Sequence, residues 1–131
     1  MKKYLSIPLS ATLSFFLGWL WYSPFLFGKF WQESYKGNIN ESNMLIPTIV
    51  GFALMNVMAF GMWWLVRKTN LAVSYVEGLK LGIHVALLFV LASMGIGYVY
   101  QGYSLMMFLV DAGYQLGMLA MMGTLTGGWK R

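Results

Sequence analysis

Four uninterrupted apolar runs constrain this chain more than any other feature of its sequence. They cover about residues 4–22, 45–66, 75–98 and 104–126, and charges or turn-forming residues separate them. Each is long enough to cross roughly 30 Å of hydrocarbon as a helix. In lipid the backbone must satisfy its own polar groups, and no alternation of period two suggests a barrel, so helix is the only open solution. Only 10% of the residues are charged and 59% are hydrophobic, against about 25% charged in soluble domains. That balance excludes a disordered chain and argues against a soluble one. The expected fold is all-α, an integral membrane four-helix bundle forming one domain over residues 1–131, with an interfacial external loop after the first span.

The separators are where helices should end. Pro24 follows Trp21-Tyr22-Ser23, and a residue preceding proline avoids helical geometry. Ser42 or Asn43 can cap the second span, with Pro47 in its first turn. Gly102 divides the last two spans, and Ser104 can cap the fourth. Pro8, early in the first span, predicts a mild irregularity. The start of the loop, Phe25 to Trp31, is aromatic enough to lie in the headgroup plane; residues 36–43 form a polar turn. Bulky Trp19, Trp21 and Tyr22 occupy the place where a signal peptide would need small residues, so the first span reads as retained.

Charge gives the orientation. Lys2, Lys3, Arg67, Lys68, Lys80, Lys130 and Arg131 fall on one side, and only Lys29 and Lys36 on the other. Basic loops stay inside, so both termini are expected in the cytoplasm. The net charge of +5 then needs anionic lipid as its partner and no nucleic acid. With no cysteine, disulfides and thiolate chemistry are excluded.

Helical periodicity divides the fourth span into two sides. Ser104, Asp111, Tyr114, Gln115, Met118 and Met122 share one; Gly113, Gly117, Ala120, Thr124 and Gly127 share the other. Small residues four apart let helix backbones approach closely in lipid. Ser6, Ser10, Ser14 and Gly18 form a matching row in the first span, and Gly78, Gly82 and Ala86 another in the third. These stripes predict packing within the chain or, alternatively, a homo-oligomer.

Polar residues at depth mark the candidate site. Asn56 lies near the middle of the second span, His84 about nine residues into the third, and Asp111 and Gln115 in the outer half of the fourth. The four can converge if their faces turn inward. A carboxylate in hydrocarbon costs about 2.5–3.5 kcal/mol on insertion scales, so Asp111 requires a proton, a hydrogen bond, water or a cation. His84 is its natural proton partner, and Lys29 folding back is a second possible cation. The cluster is either a proton relay or ligand site, or a set of hydrogen bonds that fixes helix register. One histidine and one carboxylate make too few ligands for zinc or iron. The eleven methionines are scattered as adaptable packing. No nucleophile, metal or cofactor constellation is visible, so neither an enzyme nor a bound cofactor is expected.

Two stretches carry a family resemblance. Gly18 to Trp31, containing Trp21-Tyr22-Ser23-Pro24 and Phe27-Gly28-Lys29, resembles the hallmark of the "domain of unknown function 1761" family of small bacterial membrane proteins. Phe108 to Leu116, followed by Met122-Gly123 and Trp129, is similar to that family's last span. The resemblance implies a four-span membrane protein with no established activity and supplies no catalytic residues. It also implies that the Trp21–Pro24 corner and the Asp111–Gln115 segment matter together, with Tyr22 able to donate to Asp111.

The leading functional expectation is a small or amphiphilic ligand held in an outward-leaning pocket lined by Trp21, Tyr22, Asn56, His84, Asp111, Tyr114 and Gln115. The alternatives are an oligomeric, proton-coupled transporter or channel subunit, and a purely structural subunit that docks through its small-residue stripe. Helix packing is assigned to Ser10, Ser14, Gly18, Gly113, Gly117 and Ala120.

Overall fold

A computed structural model describes residues 4–23, 25–29 and 45–129. The expected turn over residues 36–43, the Ser42 or Asn43 cap, Pro24, Trp31 and the terminal cations lie outside the described residues. Among the described residues four long helical rods make up the fold: α1 (Ser6–Trp21), α2 (Leu45–Lys68), α3 (Tyr75–Gln101) and α4 (Leu105–Gly128). There is no strand among the described residues. Helices α2, α3 and α4 are long and apolar enough to cross a membrane. Helix α1 is apolar but has 16 residues, a rise of about 24 Å, and so is shorter than the 4–22 span expected.

The helix ends follow local chemistry. Ser74 and Ser104 accept hydrogen bonds from the backbone of Glu77 and Met107, at 3.3 and 3.2 Å, and so cap α3 and α4. Helix α2 ends on Asn70, whose φ is 54°; Leu71 N donates to Val66 O and Asn70 N to Arg67 O. Gly102, with φ of 74°, ends α3 in the same way through Tyr103 N to Tyr98 O. Both are left-handed C-caps that satisfy the last carbonyls. Pro47 is the third residue of α2, inside its first turn.

Helix α4 is the central rod. In its most apolar stretch 44% of the residues are buried, against 17% in α2 and 11% in α3. Its glycines meet those of α3 backbone to backbone. A Cβ on Gly78 would lie 2.9 Å from both the Gly123 carbonyl carbon and the Gly127 Cα; one on Gly82 would lie 2.9 Å from the Leu119 carbonyl carbon and 3.2 Å from the Ala120 Cα. Ser74 N donates to Gly127 O at 3.0 Å and closes the end of this antiparallel seam. On the other flank, Gly113 faces the Trp21 ring and Gly117 faces Leu17, while Ser10 and Ser14 of α1 are fully buried. The small-residue stripes are thus filled by this chain's own helices.

Contacts at the ends fix how the rods alternate. Tyr4 packs on Trp63 near the end of α2, with Arg67 stacked 4.4 Å over the same indole. The start of α3 meets the end of α4. Arg67, Lys68 and the exposed Glu77–Lys80 pair (3.4 Å) therefore share one end with Tyr4 and Gly127. Trp21, Tyr22, Lys29, Tyr98 and Asp111 occupy the opposite end.

The middle of α3 contains one π turn, Ala86–Val90, in which Leu91 N donates to Ala86 O. A π turn absorbs one extra residue and advances the helix phase by about 100°. In an unbroken α-helix Tyr98 would lie about 120° around from Ala86, the last buried residue of the seam; the inserted residue reduces this to about 20°. Tyr98 consequently faces α4. This irregularity positions the site described next.

Candidate functional site

The site begins where α1 stops. Beyond Trp21 the chain folds back on itself: Ser23 N and Oγ both donate to Leu20 O (3.2 and 2.6 Å), Phe27 N donates to Trp21 O (3.0 Å), and Gly28 N to Ser23 O (3.0 Å). Gly28 lies so close to the Tyr22 and Ser23 carbonyls that a Cβ would come within 2.8 Å of the Ser23 oxygen. Only glycine closes this corner. The fold-back lays Phe27 against Trp21, ring centroids 4.7 Å apart.

The corner then grips α4. Trp21 Nε1 donates to Val110 O at 2.9 Å, and the Tyr22 hydroxyl donates to Asp111 Oδ1. From the other side, the Tyr98 hydroxyl donates to Asp111 Oδ2. One turn along α4, Tyr114 donates to Ser14 O at 2.9 Å, seats its hydroxyl against Gly18 and meets Tyr22 edge-on at 5.6 Å. Asp111 is only 7% exposed. A hydrogen bond to a charged group contributes about 1.5–3 kcal/mol, so two hydroxyls suffice to offset the roughly 2.5–3.5 kcal/mol cost of the carboxylate at depth.

Next to this cluster is an open apolar groove of about 310 Å³, lined by Trp21, Phe27, Met106, Leu109 and Val110. Its wall and floor, Trp21 and Val110, are the chain neighbours of Tyr22 and Asp111.

Of the residues expected at the site, the structure brings together Trp21, Tyr22, Asp111 and Tyr114. Gln115 is half-buried one turn along α4 from Asp111. Asn56 is half-buried on α2 and donates to Phe52 O of its own helix at 3.0 Å. His84 departs from the expected convergence. It is exposed, with Nδ1 2.7 Å from Lys80 O. The reason is its phase, since it follows Gly82 by two residues, about 200° around the helix and away from the seam. The register of Gly82 against Leu119 and Ala120 also sets it roughly 10 Å below Asp111. Tyr98 takes the place at Asp111 that the sequence offered to histidine or lysine, and Tyr22 donates there as the family resemblance implied. Tyr98 was not among the expected site residues, and neither was Phe27. Tyr98 has a signal in the sequence, the Gly95-Ile96-Gly97-Tyr98 end of the third span, but an interfacial aromatic explains that pattern equally well.

Among the described residues the geometry defines an all-helical bundle, three of its helices of membrane-spanning length, with one buried acid between them. The family described as "Protein of unknown function (DUF1761)" matches residues 5–127, and the chain belongs to it. No curated protein and no solved structure is detectably similar to the chain. The blocks that carry the family resemblance are the two sides of one contact: Trp21 meets Val110 and Gly113, Tyr22 meets Asp111, and Gly18 meets Tyr114.

Proposed function

We propose that this chain crosses the bilayer four times, with both termini on the Arg67–Lys80 side, and binds one amphiphilic molecule at its opposite end. The molecule's chain lies in the groove between the α1 corner and the first two turns of α4. The role is binding rather than catalysis. Supporting the four crossings are the alternation of the rods and the gathering of Arg67, Lys68 and Lys80 at one end. The single observation that carries the binding reading is the groove itself: about 310 Å³, walled almost wholly by carbon, with Val110, the chain neighbour of the buried Asp111, in its lining. An apolar cleft with a few polar groups converging at one edge suits a ligand with a tail and a head. Each buried methylene contributes about 0.8 kcal/mol.

Native mass spectrometry of the protein, extracted and exchanged into an uncharged detergent, tests the reading. One retained amphiphile per chain is expected, lost when Leu109→Phe fills the groove. Equal retention by wild type and variant would refute it.

A further inference from the structure

At the end of the bundle opposite the groove, we propose that Trp63 and Arg67 of α2 bind a phosphate oxyanion, that of an anionic lipid headgroup. This site is independent of the groove and rests only on the bilayer crossing proposed above.

The starting observation is a pair of unmet donors. Among the described residues three buried side-chain polar atoms lack a hydrogen-bond partner: Ser14 Oγ, Trp63 Nε1 and Arg67 Nε. The last two can only donate, and they belong to residues one turn apart on the same face of α2. The guanidinium lies over the indole, 4.4 Å from the ring centroid, so the two N–H groups form part of one stacked unit. A buried donor without an acceptor is costly, and a single group with several oxygens can serve both. Charge then makes that group an anion. Of the chain's four acids, Glu33, Glu41, Glu77 and Asp111, the first two lie outside the described residues. Glu77 is paired with Lys80 at 3.4 Å, and Asp111 is at the opposite end. Arg67 therefore has no carboxylate partner among the described residues, and exposed Lys68 adds a second positive charge beside it. A guanidinium is a planar fork of donors that matches phosphate in bidentate fashion.

The surroundings favour a lipid as the source of the phosphate. Tyr4 of the α1 end packs on the Trp63 indole at 5.2 Å, and Phe60, one turn nearer the middle of α2, stacks on it at 5.6 Å. Phe60 is exposed, as are the sequence neighbours Leu5 and Trp64. A molecule whose head reaches Arg67 can lay its acyl chains along Phe60; a free phosphate gains nothing from that wall. Basic sites between helices at the cation-rich end of a membrane protein suit anionic headgroups. Arg67 is only half-buried, so the phosphate meets its Nη edge first. A tilt of the guanidinium over the indole then brings Nε and the indole N–H to the same group of oxygens.

The test adds lipid back to the full chain after exchange into dodecyl maltoside, with native mass spectrometry counting what binds. Three probes are titrated: dioleoylphosphatidylglycerol, dioleoylglycerol with the same tails and no phosphate, and inorganic phosphate. Phosphatidylglycerol is expected to bind at a roughly tenfold lower mole fraction than dioleoylglycerol, equivalent to about 1.4 kcal/mol, and millimolar phosphate should not displace it. Arg67→Gln should abolish the preference. Arg67→Lys, which keeps the charge without Nε or the fork, and Trp63→Phe, which keeps a ring and loses the N–H, should each reduce it about threefold. These two carry the test if Arg67→Gln does not fold. Lys68→Gln, the same loss of charge at the next residue, should leave the preference within about twofold. Equal losses in Arg67→Gln and Lys68→Gln would overturn the site and leave only a diffuse attraction. A preference unmoved by both Arg67→Lys and Trp63→Phe would overturn the role of the two donors. Displacement by inorganic phosphate at the lipid's own concentration would overturn the lipid as its source. Leu109→Phe, which fills the groove, should keep the whole preference; its loss there would place the lipid in the groove and overturn this inference while the groove reading stands.

Discussion

Replacing Gly78 with alanine puts a methyl group where α3 and α4 touch through their backbones. The new Cβ would lie 2.9 Å from the Gly123 carbonyl carbon and the Gly127 Cα, whereas ordinary contact begins at 3.4 Å. Neither neighbour is a flexible side chain, so the relief must come from the helices parting by at least half an ångström. Both are stiff rods, and the gap opens along the whole seam, at Gly82, Ala120, Gly123 and Gly127 together. A gap of 0.5–1 Å forfeits a quarter to a half of each contact's roughly 0.1–0.2 kcal/mol. Over a seam of on the order of 40 atom pairs, that loss is about 1–4 kcal/mol, and the Gly123 oxygen, which lies closer to the new Cβ than its carbon does, puts it in the upper half. Alanine's better helix propensity returns at most about 1 kcal/mol, leaving a net destabilisation of roughly 2–3 kcal/mol. Gly61 supplies the control, because nothing lies within 4 Å of its Cβ direction. The assay is reversible unfolding by dodecyl sulfate in mixed micelles, followed by tryptophan fluorescence. Gly61→Ala should be neutral or slightly stabilising, and Gly117→Ala, with Leu17 at an ordinary 3.5 Å, nearly so. If Gly78→Ala and Gly61→Ala unfold at the same dodecyl sulfate fraction, the backbone-to-backbone seam is wrong.

Three further outcomes follow from the site and the path of the chain. Tyr22→Phe removes one of the two tyrosine hydroxyls that donate to Asp111 and should cost about 1.5–3 kcal/mol in the same unfolding assay; adding Tyr98→Phe should cost more than the sum, because the carboxyl then loses both hydroxyls. Deleting Leu88 takes out the extra residue, so α3 should run as an unbroken α-helix with Tyr98 still about 20° around from Ala86 and facing α4. The double-mutant coupling between positions 98 and 111 should therefore survive the deletion, and its loss would refute the role given to the π turn. Because the chain has no cysteine, Lys29→Cys and Asn70→Cys report the crossings cleanly: an impermeant maleimide added to intact cells should label position 29 at once and position 70 only after permeabilisation.

The sequence alone determined the kind of object this is. Runs of apolar residues near twenty long, caps at Ser104 and Gly102, and a bias of cations to one set of loops are local or additive signals, and each is present without knowing any neighbour. The same holds for the Trp21–Gly28 corner, where glycine and serine act on carbonyls a few residues away. The periodicity set Asp111 and Tyr114 on one side of α4 and Gly113, Gly117 and Gly127 on the other, but α1 meets both Tyr114 and Gly113, and α3 meets both Asp111 and Gly127. What the periodicity left open was which rod each face meets. Small residues fit any close neighbour, and only the assembled bundle matched Gly78 and Gly82 to Gly123 and Gly127, and Gly113 to Trp21. The partner of Asp111 was decided at the same level. Depth along the helices favoured His84, but the glycine seam fixes the rotation of α3 and turns that histidine outward. The extra residue in the π turn then rotates the outer half of the same helix by about 100° and brings in Tyr98. A phase shift of this kind has no local sequence signature, because it relieves a conflict between two contacts that α3 makes with α4, and those contacts exist only once the helices are packed.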